Sequence, residues 1–318
     1  MRFVSFHKKE GAEPILFYGS PARELLLYLF CPFCSITHGR IMNGDFSINV
    51  PPSLRSPGAV LAWSEACCDM ASGANPTLAL WRPEGVHVAL GLAQNTAMEL
   101  DVDAVRRDGV GLVRRQSGGG AVLLYPGVVC WEAWAGMEAL ERRVAGSSGI
   151  REAYRHLCAP VTAALEKLGL SVFHAGICDI SAQVTAGGAA RKLAGTAQLR
   201  KRDAVLVHGS LLVDADLAML GRYLQMPSTE PDYRARRSHE NFCATVAGML
   251  GDGGCGDGLM AALSACIVDA AGARGWMVAT PPEQLEGRAL DLFRGKYADP
   301  EWNWDKKRST GGLGNEKT

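Results

Sequence analysis

Arg114-Arg115-Gln116-Ser117-Gly118-Gly119-Gly120-Ala121-Val122 sets the terms for the whole chain. Three consecutive glycines between β-forming flanks leave a backbone without Cβ atoms, able to take φ > 0 and to come close to a ligand. The two arginines add fixed positive charge and forked donors suited to phosphate or carboxylate. Glycine triplets also close ordinary hairpins, so the stretch alone leaves both readings open. No helix follows it directly, which argues against a dinucleotide-binding fingerprint.

Outward from the loop, Gly111–Arg115 leads in as a strand and Ala121–Tyr125 leads out. Upstream, Leu61–Ala71 reads as a buried helix stopping at Gly73. Thr77–Trp81 and Val86–Leu90 are β-rich runs split by Pro83-Glu84-Gly85, a hairpin signal. A short helix follows Asp101 and ends at Asp108-Gly109, and Val128–Ala135 is a further strand. Ile150–Leu168 reads as one helix with Tyr154, Leu157, Val161, Leu165 and Leu168 on a single face and Gly169 as its stop. Strands are expected at 170–173, 177–184, 191–198 and 204–213, with a tight turn at Gly187-Gly188. Mainly helical chain follows Asp214, interrupted by a glycine-rich link at 251–258. The class expected is α/β in the α+β sense: a mixed, largely antiparallel sheet with helices packed on it.

The 318 residues suffice for a well-buried core. Lys plus Arg equals Asp plus Glu at 33 each, so any anion site is local and a nucleic-acid partner is not expected. No apolar run reaches the roughly 18–20 residues of a membrane span. Ten scattered cysteines in apolar or helical settings point to reduced thiols and a cytoplasmic protein. Cys31-Pro32-Phe33-Cys34 has no second pair and no suitable His spacing, so no metal centre is assigned. Residues 1–60 read as a poorly ordered leader, with Met42 as an alternative natural start. Residues 61–305 read as the catalytic domain and 306–318 as a flexible tail.

A second cluster is Gly187-Gly188-Ala189-Ala190-Arg191-Lys192-Leu193-Ala194-Gly195-Thr196-Ala197-Gln198. A surface lysine normally stands among polar neighbours. Lys192, crowded by Ala, Gly and Leu, is a candidate for a charge held in a cleft, against the alternative of an edge-strand lysine. Farther on comes His208-Gly209-Ser210-Leu211-Leu212, whose histidine suits a capping or packing role better than catalysis.

These three segments together resemble the lipoate–protein ligases and their octanoyl- and lipoyltransferase relatives, akin to biotin–protein ligases. The shared pattern is Arg-Arg-x-Ser-Gly-Gly-Gly-Ala-Val, then Arg-Lys-hydrophobic-small-Gly-Thr-Ala, then His-Gly-Ser-Leu-Leu. Trp81-Arg82-Pro83, Gly91 to Asn95, Gly176 to Ile180, Pro231 to Arg234, Arg237-Ser238-His239, Lys296-Tyr297 and Trp302-Asn303 extend the likeness from about Leu61 to Asp305.

The resemblance implies a class II synthetase or biotin ligase-like catalytic domain and a two-step acyl transfer. Lipoate or octanoate would be activated with ATP and Mg²⁺ to an acyl-adenylate, then passed to a lysine of a lipoyl domain. The acceptors it implies are the E2 component of 2-oxoacid dehydrogenases and the glycine-cleavage H protein. Lys192 would be the catalytic cation bridging acyl carbonyl and α-phosphate. Arg115, Ser117, Gly118, Gly119, Gly120, Ala121, Asp179, Gly195, Thr196, His208, Gly209 and Ser210 would surround the adenylate, Asp179 near it or its Mg²⁺.

Three features depart from that pattern. Leu123-Leu124-Tyr125 follow the glycine loop where the family often has a histidine or polar residue. Ala190 stands where a glycine usually precedes Arg-Lys. The chain also ends soon after Trp302-Asn303, where many such ligases continue into an accessory domain, so a separate accessory subunit is one expectation. ATP-independent transfer is the alternative, with Cys178 as its possible nucleophile beside the lysine. A non-catalytic protein that binds a lipoyl domain or an acyl ligand is the third reading. Arg200-Lys201-Arg202 and Arg234–Arg237 could steer an acidic partner or be solvated turns.

Overall fold

The structure, a computed structural model, describes residues 56–306 except 145, 147–148, 184–187, 252–255 and 279–282. The leader up to residue 55, with its Cys-x-x-Cys pair and Met42, lies outside the described residues. So do the tail from 307 and Gly187 of the expected turn.

The first helix is longer than its apolar stripe suggests, running Pro57–Met70 rather than from Leu61. Ser56 explains the earlier start. Its hydroxyl accepts from the Ala59 N–H, and Pro57 occupies the first turn, where no N–H is needed.

Ten strands among the described residues form two sheets. The larger has seven, from β1 (Thr77–Trp81), β5 (Val128–Gly136), β6 (Val172–Ala175), β7 (Asp179–Gln183), β8 (Ala190–Arg200), β9 (Ala204–Leu212) and β10 (Met277–Val278), ordered β10-β1-β5-β9-β8-β7-β6. All its pairs are antiparallel except β1 with β10. The smaller is β3-β2-β4, from β2 (His87–Leu90), β3 (Gly111–Arg114) and β4 (Val122–Leu124).

Two local expectations fail and one open alternative closes, each for a physical reason. Thr77–Trp81 and Val86–Leu90 are not a hairpin: β1 pairs with β5 and β2 with β3 and β4, so Pro83-Glu84-Gly85 carries the chain from one sheet to the other. The triple-glycine segment is no hairpin turn either. β3 pairs parallel and β4 antiparallel to the same β2, so the loop crosses over the end of β2. Finally, Ile150–Leu168 is two helices, Ile150–Leu157 and Ala159–Lys167, separated at Cys158. Pro160 lacks the N–H needed to continue the ladder, so it opens a second helix while the apolar stripe runs on through both.

Strand β5 is buried at every position, as an inner strand covered on both faces must be. One core packs the first helix, the small sheet and the C-terminal segment against one face of the large sheet. The other packs helices Ile150–Lys167 and Gly256–Gly272 against the opposite face. Among the described residues, no helix is long and apolar enough to cross a membrane.

Candidate active site

A cleft enclosing about 600 Å³, its mouth included, opens between the two sheets. Its apolar wall includes Leu61, Trp81, Ala89, Val122, Leu124 and Cys130. Its polar wall comes from Arg115, Glu132, Cys178, Asp179, Lys192 and the segment His208–Ser210. The arrangement suits a molecule with a hydrocarbon body and one reactive polar end.

The glycine loop forms one lip. Gly119 has φ +86°, which a side chain would resist, and Gly118, Gly119 and Gly120 all expose their backbone. Beneath them, Arg115 is buried, and its guanidinium donates to Ala89 O (2.8 Å), Gly118 O (3.2 and 2.8 Å) and Gly120 O (2.6 Å). Burial lowers its pKa to about 10. In this conformation its donors hold the loop's own carbonyls, with its charge directly beneath the glycines.

Arg114 is scaffolding and anchors the loop to the C-terminal helix Pro300–Asp305. Its Nε meets the carbonyls of Trp302 and Asn303, and Nη1 those of Gly91 and Gln94. Its own N–H donates to Asn303 Oδ1 at 2.9 Å, and its carbonyl accepts from Trp302 Nε1 at 2.9 Å. Gln116 Oε1 accepts from Lys296 Nζ at 2.6 Å, a second link to the same segment.

Lys192 on β8 is held in the cleft with its side chain 23% exposed, its Nζ 2.7 Å from Asp179 Oδ1. Tyr233 OH donates to Asp179 Oδ2 at 2.7 Å. Burial pulls the Lys192 pKa down, but the charge of Asp179, its hydrogen bond and the thiols of Cys243 and Cys178 hold it above the ordinary value. Gly195 makes the position possible: a Cβ there would stand 2.9 Å from Nζ.

Asp179 has both oxygens engaged, and among the described residues no group of three metal-ligating side chains exists. Mg²⁺ demands several oxygen ligands in near-octahedral array. The side chains therefore build no protein-only cage for the ion, which is usually held by one or two carboxylates beside substrate phosphates.

Thr196 acts on Cys178: its N–H and its hydroxyl both donate to the Cys178 carbonyl, fixing the turn at 176–178 against β8. Burial and Asp179 raise the Cys178 thiol pKa, against the lowering effect of Lys192 and Arg115. Gly209 lies over the Trp131 indole, and Ser210 pairs with Gly195 on β8 and Cys130 on β5. Ala121 lines the cleft, whereas Ser117 is buried at the loop's base.

His208 does more than pack. Its Nε2 is 2.6 Å from Ser117 Oγ and its Nδ1 is 3.2 Å from Glu132 Oε2, while Trp81 Nε1 donates to Glu132 Oε1 at 3.2 Å. Glu132 and Tyr233 were given no role from the sequence. A glutamate inside the apolar run 128–135 is the signal that marks the first; the second lies in the Pro231 to Arg234 segment already counted to the family likeness.

Residues 56–265 match the lipoyl protein ligase A/B catalytic domain model. An octanoyltransferase LipM from Kyrpidia tusciae is 29% identical over 254 residues, 73% of this chain and 88% of that protein. Another from Symbiobacterium thermophilum is 29% identical over 257 residues, covering 73% and 87%. Among solved structures, the bipartite lipoate protein ligase of Thermoplasma acidophilum, studied with its E2 lipoyl domain, superposes with TM-score 0.65 at 24% identity, covering 80% of this chain and 94% of that one. A lipoate-protein ligase A bound with ATP gives TM-score 0.61 at 25% identity, covering 78% and 93%. On the family model's match over residues 56–265, the chain belongs to the lipoyl protein ligase A/B catalytic family, enzymes that act by acyl transfer.

Proposed function

We propose that this protein moves an octanoyl or lipoyl group from a protein-bound thioester to the ε-amine of a lysine on a lipoyl domain, with Cys178 as the transient acyl carrier. The observation that carries the reading is the shared cleft: a thiol and a caged ammonium stand on its polar wall, facing an apolar wall fit for a hydrocarbon chain. Lys192 Nζ would meet the carbonyl oxygen as negative charge develops on it. Cys178 sulfur attacks the acyl carbon, the C–S bond to the donor breaks, and the acceptor amine later displaces Cys178. Relatives matched over most of their length and named octanoyltransferases support this choice of donor. The acceptors we propose are the lipoyl domains of 2-oxoacid dehydrogenase E2 or glycine-cleavage H proteins.

ATP-dependent ligation of lipoate or octanoate is the second reading, in which a separately supplied accessory subunit completes the enzyme. The exposed backbone of Gly118–Gly120 favours it, since successive N–H groups can cradle an anion. So does the likeness to a ligase bound with ATP.

The test is a mass measurement on an apo lipoyl domain incubated with the purified protein. One arm supplies an octanoyl carrier-protein thioester without nucleotide; the other supplies octanoate, ATP and Mg²⁺. A gain of one octanoyl group in the first arm, lost in Cys178→Ser, is the expected result. Modification in the second arm only, insensitive to Cys178→Ser, replaces transfer by ligation.

A further inference from the structure

Strict alternation along β8 would put Lys192 on the wrong face of its sheet. Asp179 pairs with Gly195 and Ile180 with Ala194, but the register then slips: Ser181 pairs with Lys192, and Leu193 is left over as a bulge. Leu193 and Ala194 both turn into the core behind the sheet. Lys192 thereby joins Asp179 and Gly195 on the wall of the cleft, where alternation counted from Gly195 would have buried it beside Ala194.

A second segment is clamped onto this bulge. Arg237 Nη1 donates to Ala190 O at 2.9 Å, and the Ala244 N–H donates to Lys192 O at 2.9 Å. Arg191 Nη2 reaches the carbonyls of Glu240 and Cys243. Within the segment, Ala235 and Arg236 are consecutive non-glycine residues with φ of 51° and 57°. Backbone held in that left-handed region costs energy and persists only where its surroundings over-determine it, which points to a task. The surroundings are at hand: Arg237 also donates to the carbonyls of Tyr233 (2.8 Å) and Arg234 (3.0 Å), and Arg234 and Arg237 both lie over the Phe242 ring. What this turn presents is Tyr233. Its hydroxyl donates to Asp179 Oδ2 at 2.7 Å and lies 3.3 Å from Ser181 Oγ, spanning two residues of β7 that share a face.

We propose that Tyr233 is a positioning residue for Lys192. By occupying Asp179 Oδ2 it leaves the ammonium a single carboxylate oxygen, Oδ1 at 2.7 Å, and keeps the remaining N–H bonds for the acyl carbonyl oxygen. This rests on the acyl-transfer reading above. An ammonium carries three N–H donors. A carboxylate with both oxygens free could take two of them and draw the charge toward β7. A phenol on Oδ2 fixes the plane of the carboxylate and takes up part of its charge. Tyr233 is not among the residues lining the cleft, whereas Asp179 and Lys192 are, so it acts through that pair.

The experiment measures kcat and KM for transfer from an octanoyl carrier-protein thioester to an apo lipoyl domain by the full chain. Wild type, Tyr233→Phe, Asp179→Asn and the double variant are compared; octanoate with ATP and Mg²⁺ replaces the thioester if the wild type uses only that donor. Tyr233→Phe should lower kcat about tenfold and leave KM within about twofold, because the aimed ammonium matters as charge develops on the carbonyl. In the Asp179→Asn background the same substitution should change kcat by less than about twofold, since the charge it steers is gone. Equal losses in the two backgrounds, or a wild-type rate in Tyr233→Phe, overturn the proposal while leaving transfer standing.

If the wild type transfers from no donor, the functional reading falls, and Lys192 is followed directly by its rate of labelling with acetic anhydride, read by peptide mass. Tyr233→Phe should slow that labelling about threefold, because an unshared carboxylate holds the ammonium's proton more tightly. An unchanged or faster rate overturns the proposal. Should Tyr233→Phe not fold, NMR of protein labelled at tyrosine Cζ decides. A phenolic proton protected from exchange, and shifted by Asp179→Asn, is expected for Tyr233; the absence of any such proton overturns it.

Discussion

Lys192 carries a charge whose removal separates chemistry from binding. Lys192→Ala should cut single-turnover transfer about 10³-fold, the scale of a lost oxyanion donor. It also strands Asp179, so unfolding by denaturant should show a loss of about 3 kcal/mol. Gly195→Ala tests the same atom from below. Its Cβ would meet the far end of a flexible side chain at 2.9 Å, so the amine swings away rather than the strand. Activity should fall at least about tenfold while stability changes by under about 1 kcal/mol, read by parallel rate and melting curves. Asp179→Asn should speed alkylation of Cys178 by iodoacetamide, followed by peptide mass, because the carboxylate helps hold the thiol pKa up. At this scale the sequence was legible where a residue broke its surroundings: a lysine among small neighbours. Glu132 broke its surroundings equally, yet its meaning depends on His208 opposite, a pairing that appears only once β5 and β9 are in register.

Among elements, the glycine loop is as well placed as its fastenings. Arg114 joins it to Trp302, Asn303 and Trp304, and Lys296 reaches Gln116 while its Nζ also donates to Glu65 of the first helix at 2.6 Å. Asn303→Ala strips the acceptor from a buried backbone N–H, so about 2 kcal/mol of stability should go. Transfer should fall further than that loss explains, measured well below the melting midpoint, because the loop would slacken. The strands were readable from their β-branched runs and their glycine and proline borders. Their partners were not. Pro83-Glu84-Gly85 carries a turn signal whether the chain doubles back or changes sheets, and only the packing of β1 on β5 distinguishes the two. Pro160 was in plain view, but the apolar stripe passes through it, and periodicity outweighed the missing N–H.

For the molecule as a whole, charge does not advertise the partner. Arg234 is buried and stacks on Phe242; Arg237 donates to the carbonyls of Ala190, Tyr233 and Arg234. Lys201 pairs with Asp69. Only part of each basic run is engaged in this way: Arg202, its side chain 94% exposed, and Arg236 remain at the surface. What stands exposed next to Cys178 is apolar, Ile177 at 56%, with Phe173 on β6 at 39%. Ile177→Asp should raise KM for a lipoyl domain about fivefold, roughly 1 kcal/mol, with an unchanged melting midpoint. The wild-type KM should vary little between 50 and 500 mM salt, where a charge-steered encounter would weaken. Fold class and the three motif segments were legible because the glycine, lysine and histidine stretches keep a fixed order. The cleft's depth was not, since it arises between two sheets.

The fastening of the glycine loop has a temporal side. Arg114 is synthesised long before Trp302 and Asn303, the residues that hold it. A nascent chain can assemble every strand of both sheets while this arginine still lacks those partners, since β10 ends at Val278. The glycine loop therefore gains these fastenings last.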